Sequence, residues 1–300
     1  MLTICSQACL NLDPAAFRDS FDREPFGYTH NLNELEIFAS DSLRNLVEKY
    51  ASHSHDQYVA GGAVAPSHEF YSVQHPSYTT LEAFDRLDES NSRILLKRPE
   101  RYDARFRELL DKLFRQVIDL RGGLGSEQLL RLESAVLISS AATITPFHFD
   151  PEINFFAQIE GNKTYHVYSP STLSEAELER FYIRGVVNIG QVGLDGRDPA
   201  HEHVFCLQPG KGLHQPQNAP HWVETCASRS VSYAFVFETD ASRARGRVRA
   251  FNYYLRKLWL NPARPGAHPS LDKLKASTMQ AMIPLRQTAV KCLKTILRRT

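Results

Sequence analysis

Between residues 129 and 237 the chain is written in short apolar runs separated by polar turns. The runs fall at 134–140, 147–158, 164–168, 186–190, 203–207, 212–214, 222–225 and 231–237, and β-branched and aromatic residues dominate them. Most are too short to be helices that bury one face, and their density predicts many short strands closing into a barrel or a double-sheet jelly roll. Two stretches interrupt the pattern. Residues 173–181, with SEAELERF, predict a helical insert, and the Gly-rich, charged stretch 190–202 reads as a substrate-facing loop or a solvated connection.

The flanks have a different grammar. Upstream, residues 100–120 carry Phe106, Leu109, Leu110, Leu113, Phe114, Val117 and Leu120 at helical spacing, and Gly122-Gly123 stops them. Residues 58–64 predict a short strand and 92–97 a buried short apolar segment. Downstream, 251–260 predicts a helix, 261–270 a Pro/Gly linker, and 271–300 a helical tail that Pro284 breaks. In that tail Met282, Ala289, Val290, Leu293, Ile296 and Leu297 form an apolar stripe beside Lys291, Lys294, Arg298 and Arg299. The expected organisation is a mixed α/β region over 1–124, a β core over 125–240 and a helical region over 241–300. The fold class is α+β with a mainly β core. For the tail, a homodimer contact is the first expectation, packing on its own domain the second, and a membrane-surface or nucleic-acid contact the third.

Composition removes several function classes. Lys and Arg total 35 against 34 Asp and Glu, so no general attraction to nucleic acid or membrane is expected. Five scattered cysteines, Cys5, Cys9, Cys206, Cys226 and Cys292, form neither a disulfide framework nor a zinc pattern. The opening MLTICSQACLNL lacks the basic and long apolar regions of a signal peptide. These features predict reduced thiols and a cytoplasmic protein.

Residues 145–163, TPFHFDPEINFFAQIEGNK, concentrate the chemistry. His148 and Asp150 lie two apart, and in a strand such residues share a face. With the distant His221 they supply two imidazoles and one carboxylate, the ligand set that leaves open positions on non-haem Fe(II). A His-x-Asp pair alone is as consistent with a packed histidine. Lys163 follows the Gly161-Asn162 turn signal and, read alone, is a solvated turn lysine. Inside an apolar barrel it would need an anion, and 2-oxoglutarate is a dicarboxylate that supplies one. His53, His55 and His68 sit in a polar stretch without a carboxylate at useful spacing and are set aside.

The stretch resembles the core of the JmjC/cupin-type Fe(II)/2-oxoglutarate oxygenases, particularly the asparaginyl hydroxylases and bacterial cupin-like relatives. It matches T-P-x-H-x-D and N-F-F-A-Q-I-x-G-x-K through Thr145, Pro146, His148, Asp150, Asn154 to Ile159, Gly161 and Lys163 without a gap. Pro220-His221-Trp222-Val223-Glu224 is similar to the segment of the distal histidine, which selects His221 over His214. The resemblance implies a double-stranded β-helix, iron on His148, Asp150 and His221, and the far carboxylate of 2-oxoglutarate on Lys163 and Thr145 with Asn154 nearby. Val236 stands where similar proteins carry an Asn, and Ser232 is the residue placed to compensate. Arg229 is the rival to Lys163. The implied activity is O2-dependent hydroxylation of a protein or peptide side chain or of a small metabolite, with dimerisation through C-terminal helices. A non-catalytic cupin-like binding or regulatory protein is the alternative, and a cupin enzyme with another metal the third.

Overall fold

The computed structural model describes residues 7–63, 65–70, 78–185 and 189–282. Thirteen strands and seven α-helices are named in it. The strands are β1 (Leu10–Asn11), β2 (Phe26–His30), β3 (Gln57–Gly61), β4 (Ser92–Lys97), β5 (Leu129–Ser139), β6 (Ile144–Phe149), β7 (Ile153–Glu160), β8 (Lys163–Tyr168), β9 (Gly190–Gln191), β10 (Glu202–Leu207), β11 (Lys211–Gln215), β12 (Pro220–Thr225) and β13 (Ser230–Thr239). The helices are α1 (Pro14–Ser20), α2 (Ser40–Lys49), α3 (Thr80–Asp85), α4 (Leu87–Ser90), α5 (Ala104–Arg121), α6 (Glu175–Tyr182) and α7 (Asp240–Lys257).

The strands form two sheets. The larger runs β1-β2-β11-β7-β13-β5-β4-β3, and the smaller β10-β8-β12-β6-β9. Side chains from both meet in one interior cluster: Phe156, Leu213 and Ala234 from the large sheet, and Tyr165, Val167, Leu207 and Val223 from the small one. The other face of the large sheet packs on helices. There Phe155, Tyr233, Phe235 and Phe237 join Leu43, Leu46 and Val47 of α2 and Phe106, Leu109, Leu110, Leu113 and Val117 of α5. Two-sided burial explains why β7 carries apolar residues on both faces rather than alternating apolar with polar. The strand pattern expected over 129–237 is present, and with it the jelly-roll architecture.

Local chemistry fixes the elements as the sequence indicates. Helix α5 opens where the Asp103 carboxylate accepts from the Arg105 backbone N–H, and ends at Gly122 with φ of 82°. It begins later than the residue-100 start expected, because Pro99–Arg101 form a short 3-10 turn instead. The link Gly161-Asn162 carries the chain from the large sheet to the small one. Gly161 has φ of 68°, and a Cβ there would lie 2.1 Å from the Arg229 carbonyl oxygen. Only glycine fits. Gln158 braces the same corner, donating to the carbonyls of Glu160 and Gly161 at 2.7 and 3.0 Å.

By internal contacts the chain divides into two compact units. The first comprises 1–172 and 191–238, and in it the N-terminal strands extend the large sheet of the core. The second comprises 173–190 and 239–300. The helical insert expected over 173–181 is present as α6, and it groups with the C-terminal helices. Within that unit Arg249 and Arg256 of α7 pair with Glu175 and Glu179 of α6 at 3.1 and 2.8 Å. Gly246 lets the Tyr182 ring approach α7, where a Cβ would lie 2.5 Å from it. Helix α7 begins at Asp240, so the alternating Arg243–Arg249 segment is helical as well. A further helical segment spans 269–282, and Lys275 on it donates to Asn252 at 2.9 Å. Pro284 and the stripe from Ala289 to Leu297 lie outside the described residues, as do Cys5, Cys292 and most of the strand expected at 186–190.

Candidate metal centre

The small sheet places the three expected ligands together. Antiparallel partners point to the same face, and β12 pairs His221 with His148 and Val223 with Thr145. Two residues on β12 therefore span three on β6. This bulge turns both His148 and Thr145 inward, although three residues apart on a regular strand would face opposite ways. Asp150 follows directly at the corner between β6 and β7. One ligand atom from each of His148, Asp150 and His221 lies within 4.8 Å of the others. Nε2 of His148 is 4.0 Å from one Asp150 oxygen and Nε2 of His221 is 3.8 Å from the other.

The remaining ring nitrogens are held by neighbouring groups. His148 Nδ1 donates to the Pro146 carbonyl at 2.7 Å; a carbonyl only accepts, so its proton sits on Nδ1 and its Nε2 lone pair faces Asp150, the arrangement a metal requires. His221 Nδ1 lies 3.1 Å from the Ala219 carbonyl and 3.0 Å from the Gln215 side-chain amide nitrogen, which leaves Nε2 as the ring nitrogen turned to Asp150. Burial pushes the His148 pKa well below its ordinary value, with the neighbouring His221 adding to the effect. Burial also lowers the His221 pKa, against the pull of Asp150. Both rings are held neutral, the ligating form. The Asp150 carboxyl is pushed up by burial, which a bound cation would reverse. Tyr165 stacks on His221 at 5.2 Å and donates to Gln215 at 2.7 Å, which adds rigidity behind the ligand. The donor set fits a divalent cation with open coordination positions.

Lys163 is the first residue of β8 and is not a solvated turn lysine. It is 5% exposed, beside the Phe156 ring at 5.7 Å. Among the described residues no carboxylate pairs with it. Burial, with Arg93 adding to it, pushes its pKa down to about 7. Asn154 shares the inner face of β7 with Phe156, and its side-chain oxygen is buried without a hydrogen-bond partner. Val236 is its neighbour across β13. Ser232 also faces inward, but its hydroxyl donates to Gln158 at 2.9 Å, so that proton is not available to a carboxylate.

No family model matches the chain. The lysine-specific demethylase JMJ30 of Arabidopsis thaliana is 34% identical over 111 residues, which cover 34% of this chain and 25% of that protein. The chain thus matches about a quarter of the length of this curated relative. The X-ray structure of Escherichia coli ycfD is similar with a TM-score of 0.54 at 17% identity, over 92% of this chain and 69% of that one. The Escherichia coli ribosomal oxygenase YcfD in complex with cobalt and 2-oxoglutarate is similar with a TM-score of 0.52 at 17% identity, over 92% and 68%. The chain shares the fold of these two solved structures.

The other candidates lie away from this centre. His214 faces the helix side of the large sheet, stacked on Phe21 and tilted against Phe155, and burial pushes its pKa down to about 3. Arg229 is half-exposed and pairs with Glu160 at 2.8 Å. His166 faces outward, stacked on Trp222 at 3.7 Å and bonded to Glu202. His53 packs on Tyr102. One residue at the centre was missed: Arg93 on β4. It is 8% exposed, one guanidinium nitrogen has no hydrogen-bond partner, and its charge is felt at both His148 and Lys163. The signal was a lone arginine inside the apolar run SRILLK.

Proposed function

We propose that the chain is an Fe(II)- and 2-oxoglutarate-dependent oxygenase that hydroxylates a protein side chain. The observation that carries this reading is the convergence of His148, Asp150 and His221 on one point in a barrel that also buries the uncompensated cation Lys163. A metal site alone fits many cupin chemistries. A buried lysine awaiting an anion narrows them to one with an acidic cosubstrate. When bound, iron with 2-oxoglutarate and O2 supplies the oxidising chemistry that inserts oxygen into a C–H bond. His148 and His221 hold the metal as neutral donors and Asp150 balances part of its charge. Lys163 takes the far carboxylate, Thr145 and Asn154 line its path, and Phe156, Tyr165, Leu213 and Val223 keep water from the reacting centre. A protein substrate is in keeping with the named activities of the similar demethylase and ribosomal oxygenase.

Two further readings complete the proposal. Among the described residues no helix is long and apolar enough to cross a membrane. Cys9, Cys206 and Cys226 are free thiols, which suits a reducing, cytoplasmic setting and ferrous iron. The second unit exposes Leu258, Trp259, Leu260, Leu271 and Leu274, Trp259 by 97%. Apolar side chains on this scale mark a protein contact, and a second copy of this chain is the proposed occupant.

The deciding experiment is an anaerobic titration of full-length protein with Fe(II) and 2-oxoglutarate. A weak visible charge-transfer band that needs both components is expected. Its absence from protein that binds the metal would leave the non-catalytic or other-metal cupin readings standing.

A further inference from the structure

Arg93 is a buried cation with no anion. Its position follows from the sheet: β4 lies between β3 and β5, and Arg93 pairs in register with Ala60 and Ser139. Its one hydrogen bond is long, from Nε to the Gly61 carbonyl at 3.4 Å. The guanidinium lies 5.8 Å from the centre of the Phe70 ring, which gives a cation–π contact but no charge balance. Among the described residues no carboxylate pairs with it. Burial pushes its pKa down only to about 10, so it stays charged at neutral pH.

A buried unpaired guanidinium lowers stability, and Lys163, a second buried side chain without a carboxylate among the described residues, is near enough to feel its charge. The Arg93 charge adds to burial in lowering the Lys163 pKa. One carboxylate placed between them would relieve both. The planar fork of arginine presents two parallel N–H donors to such a group, whereas lysine gives a point charge.

We propose that Arg93 is a second carboxylate-binding residue of this pocket, which closes with Lys163 on the far carboxylate of a small dicarboxylate. Burial selects this ligand over a macromolecular one. A side chain that reads a protein substrate must be reachable from solvent, and Arg93 is only 8% exposed. A small dicarboxylate enclosed in the barrel is under no such limit. The inference rests on the oxygenase reading for the identity of the dicarboxylate, 2-oxoglutarate, and not for the cation pair itself.

The test uses the full-length chain and two readouts. The first is 2-oxoglutarate affinity, from the visible band of the anaerobic Fe(II) protein. The second is the rise in melting temperature that succinate gives the metal-free protein. Arg93→Met is expected to weaken 2-oxoglutarate about tenfold or more, to lose the succinate-induced rise, and to melt no lower than wild type without ligand. Arg93→Lys should recover part of the affinity. Equal affinity in Arg93→Met and wild type overturns the proposal. So does an Arg93→Met chain that unfolds while Arg93→Lys folds and binds as wild type, since Arg93 would then be a structural cation. The two readings fail separately. No band in wild type, with succinate stabilisation that still depends on Arg93, removes the iron reading and keeps this one. A normal band with the same affinity in Arg93→Met does the reverse.

Discussion

His148 and His221 face each other directly across β6 and β12, with ring centroids 4.1 Å apart. Neighbouring hydrogen-bonded strands thus hold two of the three proposed ligands, and the third closes the corner. Removing either ring leaves a two-ligand remnant with no rigid replacement in reach. His148→Ala and His221→Ala are each expected to reduce Fe(II) affinity by about 100-fold or more. The check is metal content after dialysis against a weak chelator. Retention of stoichiometric iron by both variants would remove the triad from the mechanism.

Lys163 gives a pH prediction with a definite sign. Its pKa of about 7 in the folded protein lies below the value of about 10.4 for an exposed lysine. Between those values the unfolded chain binds more protons, so the stability of the ligand-free protein rises with pH over that window. A dicarboxylate binds the protonated form, so its affinity falls above pH 7 by up to about tenfold per pH unit. Lys163→Met flattens both profiles and stabilises the ligand-free protein at pH 7. Calorimetry in buffers of different ionisation enthalpy would show proton uptake on binding at pH 8 in wild type and none in the variant.

The Gly161 corner predicts a linked loss. An alanine there must stand in the left-handed region and against the Arg229 carbonyl. Gly161→Ala is expected to cost about 2–3 kcal/mol of stability and to weaken 2-oxoglutarate binding, because Lys163 begins two residues later. Urea unfolding and the visible-band titration read the two effects. Wild-type affinity in a destabilised variant would separate the corner from the pocket.

In the second unit, Glu179 is 1% exposed and paired with Arg256. Arg256→Ala leaves a buried carboxylate without its partner, and a loss of about 2–3 kcal/mol in thermal unfolding is expected. Glu179→Gln in the same background should recover part of it.

Trp259 stands at φ of 62° and is almost wholly exposed. Trp259→Ser combined with Leu274→Glu should halve the solution mass measured by light scattering. A wild-type mass of one chain would end the dimer proposal.

How far these features were legible depended on how local they were. The triad and Lys163 lie in one gapless stretch plus one short segment, and strand periodicity alone pairs His148 with Asp150. The bulge that turns Thr145 to the same face is a register property of β6 against β12, and no composition cue marks it. Arg93 reads as one residue of an ordinary strand, because its partners, Lys163 and His148, are brought to it only by closure of the two sheets. Residues 173–181 were readable as a helix from Ser174 and Glu177, which form a capping box. Their pairing with α7, more than sixty residues away, was not.

Phe70 packs on His148 with centroids 4.6 Å apart and also carries the Arg93 guanidinium on its ring. Its backbone N–H is tied to Gln191, and Gln191 in turn donates to the Phe147 carbonyl. One half-buried side chain therefore borders the His148 ring and the Arg93 guanidinium together. Whatever displaces that ring changes the surroundings of both in a single motion.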